Sequence, residues 1–501
     1  MRIPLLGGAY QSRSILANAQ RSVNYFPELN PRDSPVPVTQ YQRPGLVPLG
    51  SPATPGLGRG IWRASNGNGY CVVGQTVYQI QTNWSLSSLG TLATAASNPC
   101  SFVDNGTTGV LVDGSSFGYQ FSLAGGPLTQ ISDPTGTFTG ADRVDYIDTF
   151  VLWNVPGTNQ FGSTLSNEIS FDALYIAAKT DWPDPLQVLI VNRHEILLVG
   201  QLKTEQWYDA GNPLFPFAEL PGAYFEHGTV SKYCVASADI NVYWLGQDLQ
   251  GQGVVLRARG YDCKRISNHA LEYQLRQAVA NGATLTDAIG CCYQQDGHVF
   301  YYLTLPSANQ TWVWDEASEQ WHQQAWTDGQ GTLQRHRPMM MAFVNGLNVG
   351  LDWENGTIYQ LDLNTYTDTV NGVTGPVTFI RGFPHILEGQ MSFGLPGLDR
   401  QVESNGKIVR YDKFLLDLEC GNGPADAQGN PAMIGLRWSN NRGKTFGTAI
   451  MQTSGALGQY ETRPLWRNQG MAQDMVFEIS HNIAGPAALN GAWVKAEVLN
   501  Q

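Results

Sequence analysis

The chain has 501 residues, a formal net charge of −12, 14% charged residues, 11% aromatics and 55 glycines. An average soluble domain is roughly 25% charged, so this is a neutral-polar, glycine-rich composition suited to β structure and long enough for two or three domains. Acidic residues outnumber basic ones by 42 to 30, which argues against a surface built to grip nucleic acid, and no 18-residue apolar stretch is present to anchor the chain in a bilayer.

The chain opens with "MRIPLLGGAYQSR", whose short apolar run is broken by Gly7, Gly8, Gln11 and Arg13. It does not fit a signal peptide, and a protein made and kept, or assembled, in the cytoplasm is expected. Residues 1–58 are rich in Pro and Gly, as in "PELNPRDSPVPV" and "RPGLVPLGSPATPGLG". They predict an extended N-terminal arm that wraps around other structure and does not fold alone.

From 59 to 365 short apolar runs alternate with Gly, Asn or Asp turns. The hairpins start at Gly69, Gly109, Thr149, Glu195, Asn241, His298 and Leu347, at spacings of about 40 to 57 residues. Seven hairpins at that period predict an all-β fold with a β-propeller of about seven repeats, each blade a four-stranded sheet. Regular spacing weighs against a series of β-sandwiches. Gly74, Gly114, Gly200 and Gly246 are expected to supply turn dihedrals. Trp312, Trp314, Trp321 and Trp326 are expected to fill the gap between blades, with the turn at Asp315 to Glu319. "SNHALEYQLRQAVANG" predicts a helix from a Ser267 cap to Gly282, with Ala270, Leu271, Leu275 and Val279 on one face.

From 366 to 501 a C-terminal β-sandwich-like domain is expected, with strands at "IVRYDKFLLDLEC", "AMIGLRWS", "YETRPLWRN", "DMVFEIS" and "GAWVKAEV". Within it "RWSNNRGKTFG", Arg437 to Gly447, is close to the Asp-box turn of sialidases. Ser439 and Asn441 accept backbone amides there, Gly443 permits a positive φ, and Phe446 starts the next strand and plugs the fold. These are demands of folding. They are not demands of chemistry.

Catalytic candidates are sparse. Asp142, Asp145 and Asp148 in "DRVDYID" and Asp181 and Asp184 in "TDWPDP" are carboxylates at a spacing of three, in strand and turn contexts that do not set two across a substrate. No G-x-S-x-G, P-loop or H-E-x-x-H occurs. The histidines (194, 227, 269, 298, 322, 336, 385 and 481) are dispersed. The seven cysteines (71, 100, 234, 263, 291, 292 and 420) include no C-x-x-C and predict buried free thiols in a reducing compartment. No catalytic, cofactor-binding or metal-binding residues are assigned, no cofactor is expected, and the protein is not expected to be an enzyme.

One stretch carries Asp184-Pro185, Gly200, Glu205, Trp207-Tyr208, Gly211 and Phe215-Pro216-Phe217, followed by Trp244-Leu245-Gly246, Gly253, Arg257, Gly260 and Ile266-Ser267. It resembles the packaged-DNA stabilisation protein family of short-tailed bacteriophages, also called the tail hub or tail accessory factor. "VNYFPE" from Val23, "RPGL" from Arg43, "LRWSNNRGKTFG" and "GQYETRPLWRNQGMAQDMVFEIS" resemble it too, so the likeness runs over nearly the whole chain, strongest from 181 to 280 and 433 to 481. The resemblance implies a virion tail component assembled in the host bacterial cytoplasm. It implies a homohexameric ring below the portal and adaptor ring proteins that closes the DNA-filled head. Tail fibre, tailspike or tail needle proteins would lie alongside, and genomic DNA would pass through without specific binding. The rival is a glycan-binding or glycan-cleaving propeller, a receptor-binding tail protein.

Overall fold

Each of the seven hairpins forms the two middle strands of a run of four antiparallel strands. The computed structural model describes residues 2–5, 7–16, 18–213, 215–248, 250–387, 407–425 and 428–499. The innermost strands are Gly58–Arg63, Ser101–Asp104, Val144–Ile147, Leu186–Asn192, Ala236–Ala238, Ile289–Gln295 and Pro338–Val344. The first of them packs against the last, which closes the ring. The middle strands are apolar on both faces because each blade is sandwiched between two others; Glu195–Gly200, for example, is buried from Ile196 onward. Trp153, Trp244 and Trp321 lie at 1% exposure or less between blades, and burying a side chain of that size contributes about 2–3 kcal/mol. Trp312 and Trp314 are buried beside Trp321, whereas Trp326 is only half-buried.

Blade 7 is completed from the other end of the chain. Its strands Leu347–Asp352 and Ile358–Asp362 are followed outward by Gly45–Gly50, which pairs antiparallel with Ile358–Asp362. A further hairpin, Thr367–Val370 and Val373–Pro376, lies beyond it in the same sheet.

The rest of the arm enters the C-terminal sandwich. One of its sheets runs Leu465–Ala472, Val409–Leu418, Leu489–Val498, Val38–Gln42 and Tyr25–Leu29, with Arg2–Ile3 also on Leu489–Val498. The other runs Phe379–Gly382, Asp474–His481, Met433–Ser439 and Ile450–Thr453. Phe414, Phe477, Trp466 and Ile434 fill the space between them together with Ile3, Leu5 and Val38 of the arm. Ser22–Val23 lies between the last strand of blade 6, Gln320–Thr327, and Phe379–Gly382, so hydrogen bonding continues from propeller to sandwich. Strands form at all five expected places, but the one expected at 460–468 is displaced to Leu465–Ala472, and 388–406, 426–427 and 500–501 of the expected 366–501 lie outside the described residues.

Four local expectations change. The helix spans His269–Ala280 and is capped by Asn268, whose side chain accepts the Leu271 amide at 2.8 Å. Ser267 instead donates to Glu272 at 2.7 Å. Ala278 is buried and Val279 is 47% exposed, because the helix settles on the blade through its 271–275–278 stripe. Gly74 and Gly114 have φ of +58° and +77°, but Gly200 and Gly246 do not turn the chain. They are needed for closeness: a Cβ on Gly200 would lie 2.4 Å from Asp184 Oδ2, and one on Gly246 would lie 2.7 Å from the Gly228 carbonyl. Phe446 is half-buried and outside any strand, lying 4.9 Å from the Arg437 guanidinium, so it does not plug the fold. Cys291 and Cys292 are only partly buried because they line the central cavity, and Cys263 because it lies on the edge strand Asp262–Arg265; all seven thiols are free.

Candidate functional site

The inner strands surround a cavity of about 290 Å³ on the propeller axis, lined in part by Asp142, Arg143, Asp145, Lys232 and Tyr233. Asp142 receives the Lys232 ammonium at 2.6 Å and the Asn154 amide at 3.3 Å. Burial would lower the Lys232 pKa, but Asp142 outweighs it and raises it. Asp145 accepts the Val191 amide at 2.8 Å and the Tyr146 amide at 2.9 Å. Burial raises its pKa against the pull of Arg143, whose own pKa is lowered by burial. Both acids are thus occupied by fixed donors. Asp148 lies at the exposed far end of the strand at φ +44°, 3.3 Å from His194. The "DRVDYID" set is therefore split between the two ends of one blade.

Asp181 and Asp184 belong to a different assembly. Lys179, with no exposed surface, donates to Asp184 and to the Trp182 carbonyl at 3.2 Å and lies 3.5 Å from Glu205. Asp184 Oδ2 accepts the Leu202 amide at 2.6 Å, which fixes the turn after Gly200. Glu205 accepts the Asp181 amide at 3.0 Å, and burial raises its carboxyl pKa in spite of Lys179. Lys179, Asp184 and Glu205 thus form one buried charge network, with Gly200 packed against Asp184 and the Trp207 indole donating to Glu205 at 3.4 Å, and removing one of the three charged side chains would strand a charge in the interior.

A second set of networks ties the arm down. The Arg43 fork holds Asp368 through Nη1 at 3.0 Å and Nη2 at 2.5 Å and donates Nε to Asn24 at 3.0 Å. Asn24, at φ +62°, also accepts the Ala325 amide at 2.8 Å and donates to the Thr378 carbonyl at 2.7 Å. Tyr25 meets His481 at 2.5 Å. His298 stands between Asp315 at 2.9 Å and Glu28 of the arm at 2.5 Å, and His385 between Asp474 at 2.8 Å and the Ile15 carbonyl at 2.7 Å. Burial would lower both imidazoles, yet their acidic partners outweigh it and raise them. Sequence reasoning missed these roles because the partners are 270 to 325 residues apart for Glu28–His298 and Arg43–Asp368. The only signal was the family-like "VNYFPE" and "RPGL", which hold Asn24, Tyr25, Glu28 and Arg43.

Chemically, these groups hold parts together. Among the described residues no group of three or more His, Cys, Asp or Glu side chains is placed to bind a metal ion, and no helix is long and apolar enough to cross a membrane.

Residues 1–366 match the family model described as Bacteriophage P22 Gp10, beta-propeller, and residues 399–497 the one described as Bacteriophage P22 Gp10, beta-sandwich. No curated protein matches the chain. Similar solved structures include a streptogramin B lyase, at 11% identity and TM-score 0.41 over 64% of this chain and 97% of that one. BamB from Moraxella catarrhalis is similar at 11% and 0.34 over 72% and 93%. The WD40 propeller domain of Doa1 is similar at 9% and 0.38 over 64% and 96%.

Proposed function

Because the chain belongs to the bacteriophage P22 Gp10 family and is a structural protein of a phage virion, we propose that it is the tail hub of a short-tailed phage. Six copies form a ring below the portal and adaptor, close the filled head and frame part of the path by which DNA leaves. The observation that supports this most is that the charged residues singled out above are spent on holding arm, propeller and sandwich together. A chain braced in this way suits a part that must stay in one shape against the pressure of a packed genome. The division into an arm of 1–58, a propeller of 59–365 and a C-terminal unit of 366–501 is part of the same proposal.

The conduit lies between copies. A DNA duplex is about 20 Å across, and one turn of it occupies thousands of cubic ångströms, against about 290 Å³ in the propeller's own channel. Portal, adaptor and tail fibre, tailspike or needle proteins are the proposed neighbours, and the tail of the virion is the proposed location. The protein is proposed to have no hydrolytic role.

The test uses DNA-filled heads that lack this protein. Added protein should make their DNA resistant to nuclease, and electron microscopy should show a cyclic ring at the vertex. Heads that stay leaky with the protein bound, or protein that binds elsewhere on the particle, would refute the closure role.

A further inference from the structure

The negative charge is unevenly placed. Residues 59–365 hold 28 Asp and Glu against 14 Lys and Arg, whereas 1–58 and 366–501 together hold 14 acidic and 16 basic residues. Much of this basic surplus sits on the outward face of the sandwich sheet built from Leu465–Ala472, Val409–Leu418 and Leu489–Val498. The register sets Lys413 opposite Arg467 on one side and opposite Lys495 on the other, three cations abreast. Next to them Leu415 lies between Leu465 and Trp493, with Arg2 5.6 Å over the Trp493 ring. The ion pairs of this face are Arg410 with Asp412 at 2.8 Å and with Glu497 at 2.6 Å, Lys495 with Glu497 at 3.8 Å, and Arg463 with Asp417 at 4.0 Å. Among the described residues Lys413 and Arg467 are exposed and have no acidic partner within 4.0 Å. Like charges directly opposite destabilise a sheet, so the row is held at a cost that an anionic surface from outside would offset.

The complementary surface is the outer edge of blade 4. Its last strand, Phe217–Phe225, is an unpaired edge carrying Glu219 and exposed Tyr224, beside Asp181, Trp182, Asp209 and Glu226. Lys203 sits among the acids, 3.0 Å from Glu226 and 4.2 Å over the Trp182 ring. Burial, then Asp181, raises the Glu219 carboxyl pKa, so a cation brought to this edge would relieve it. Blade 4 is three blades away from blade 7, which the arm joins to the sandwich, so one copy does not satisfy its own basic face.

We propose that the Lys413–Arg467–Lys495 face of one copy docks on the acidic, aromatic outer edge of blade 4 of a second copy, head to tail. A contact between two different faces repeats from copy to copy and closes into a ring when the rotation allows. The apolar row of Leu465, Leu415 and Trp493 favours a protein surface with aromatics over a phosphate backbone. The proposal rests on the ring assembly argued above and names the surfaces that would make it.

Sedimentation velocity of the full chain at low and high salt tests it. Association is expected at low salt and should weaken as salt screens the contact. Lys413→Glu with Arg467→Glu, and separately Asp209→Lys with Glu226→Lys, should each weaken association by about 100-fold. An equal mixture of the two double variants should restore it, since each carries the charge the other has lost. Should the sandwich variant fail to keep the wild-type melting profile, Lys413→Gln with Arg467→Gln replaces it, and should the blade 4 variant fail, Asp209→Asn with Glu226→Gln does, each with about a tenfold effect. Association that persists in both variants leaves the ring standing and overturns this interface. Failure of the mixture to restore association also overturns it. Wild-type protein that stays single at every concentration at low salt overturns both interface and ring. If the sandwich variant instead loses retention of duplex DNA with association unchanged, the face reads phosphate and the proposal fails.

Discussion

Replacing His298 by Gln should loosen the arm, and by an amount that depends on pH. Both ring nitrogens face carboxylates, Asp315 at 2.9 Å and Glu28 at 2.5 Å, and ionised carboxylates only accept hydrogen bonds, so the side chain that bridges them is the imidazolium. Asp315 has no exposed surface, and taking its cation away leaves it with the Ser318 hydroxyl at 2.6 Å and the Ala317 amide at 3.1 Å. Breaking such a buried pair costs about 3 kcal/mol, at the low end because those donors remain. Glu28 is 39% exposed, and its share is under about 1 kcal/mol. Three kcal/mol is a factor of roughly 150 in an opening equilibrium. The amides of Tyr25–Leu29 should therefore exchange with deuterium roughly 100-fold faster in the variant at about pH 6, after correction for intrinsic rates. The folded imidazole titrates above its ordinary 6.5, so its contribution is complete below 6.5 and is lost as the pH rises through the folded value. At a pH well above 6.5 the wild type should therefore lose its advantage. The adjoining His322 is held down to about 4 by burial and does not titrate in this range. An equal gap between wild type and variant at the two pH values, or none at the lower one, would refute the imidazolium clamp.

Arg43→Lys keeps the charge but loses the fork on Asp368 and the bond to Asn24, and should lower stability by about 2 kcal/mol in denaturant unfolding. Gly200→Ala drives a methyl to 2.4 Å from Asp184 Oδ2 and 2.7 Å from the Lys203 carbonyl; overpacking should cost about 1–3 kcal/mol, read as a lower melting temperature. Acid should destabilise the protein as the pH falls from 6.5 toward about 4 and about 3, because burial holds His322 and His481 at those values and the unfolded imidazoles take up protons first. The urea midpoint followed against pH checks this, and His322→Phe should flatten the acid limb.

The propeller was legible because its signal is local. A run such as Glu195–Gly200, buried through Val199 and turned two residues later, announces both its strand and its return within a dozen positions. The sandwich strands were legible for the same reason. What escaped was the pairing of Gly45–Gly50 with Ile358–Asp362, since nothing in "GLVPLG" marks which strand it will meet. Asn268 and Ser267 are both capable caps, and the choice turned on Glu272 taking the serine hydroxyl. The strand and turn contexts of the five candidate aspartates were legible, but their use in holding Lys232, Lys179 and backbone amides depends on neighbours that are near only after folding.

The strand Gly45–Gly50 also sets an order of events in time. It is made about 310 residues before the strand it completes, and at about 5–20 residues per second it waits on the ribosome for roughly 15–60 s. Through that interval blades 1 to 6 emerge with no partner for the seventh, and the proline-rich stretch before the strand is unpaired. Prolines keep such a stretch from pairing with other edges. The composition that predicts an extended, wrapping arm is thus what a latch needs while it is held open.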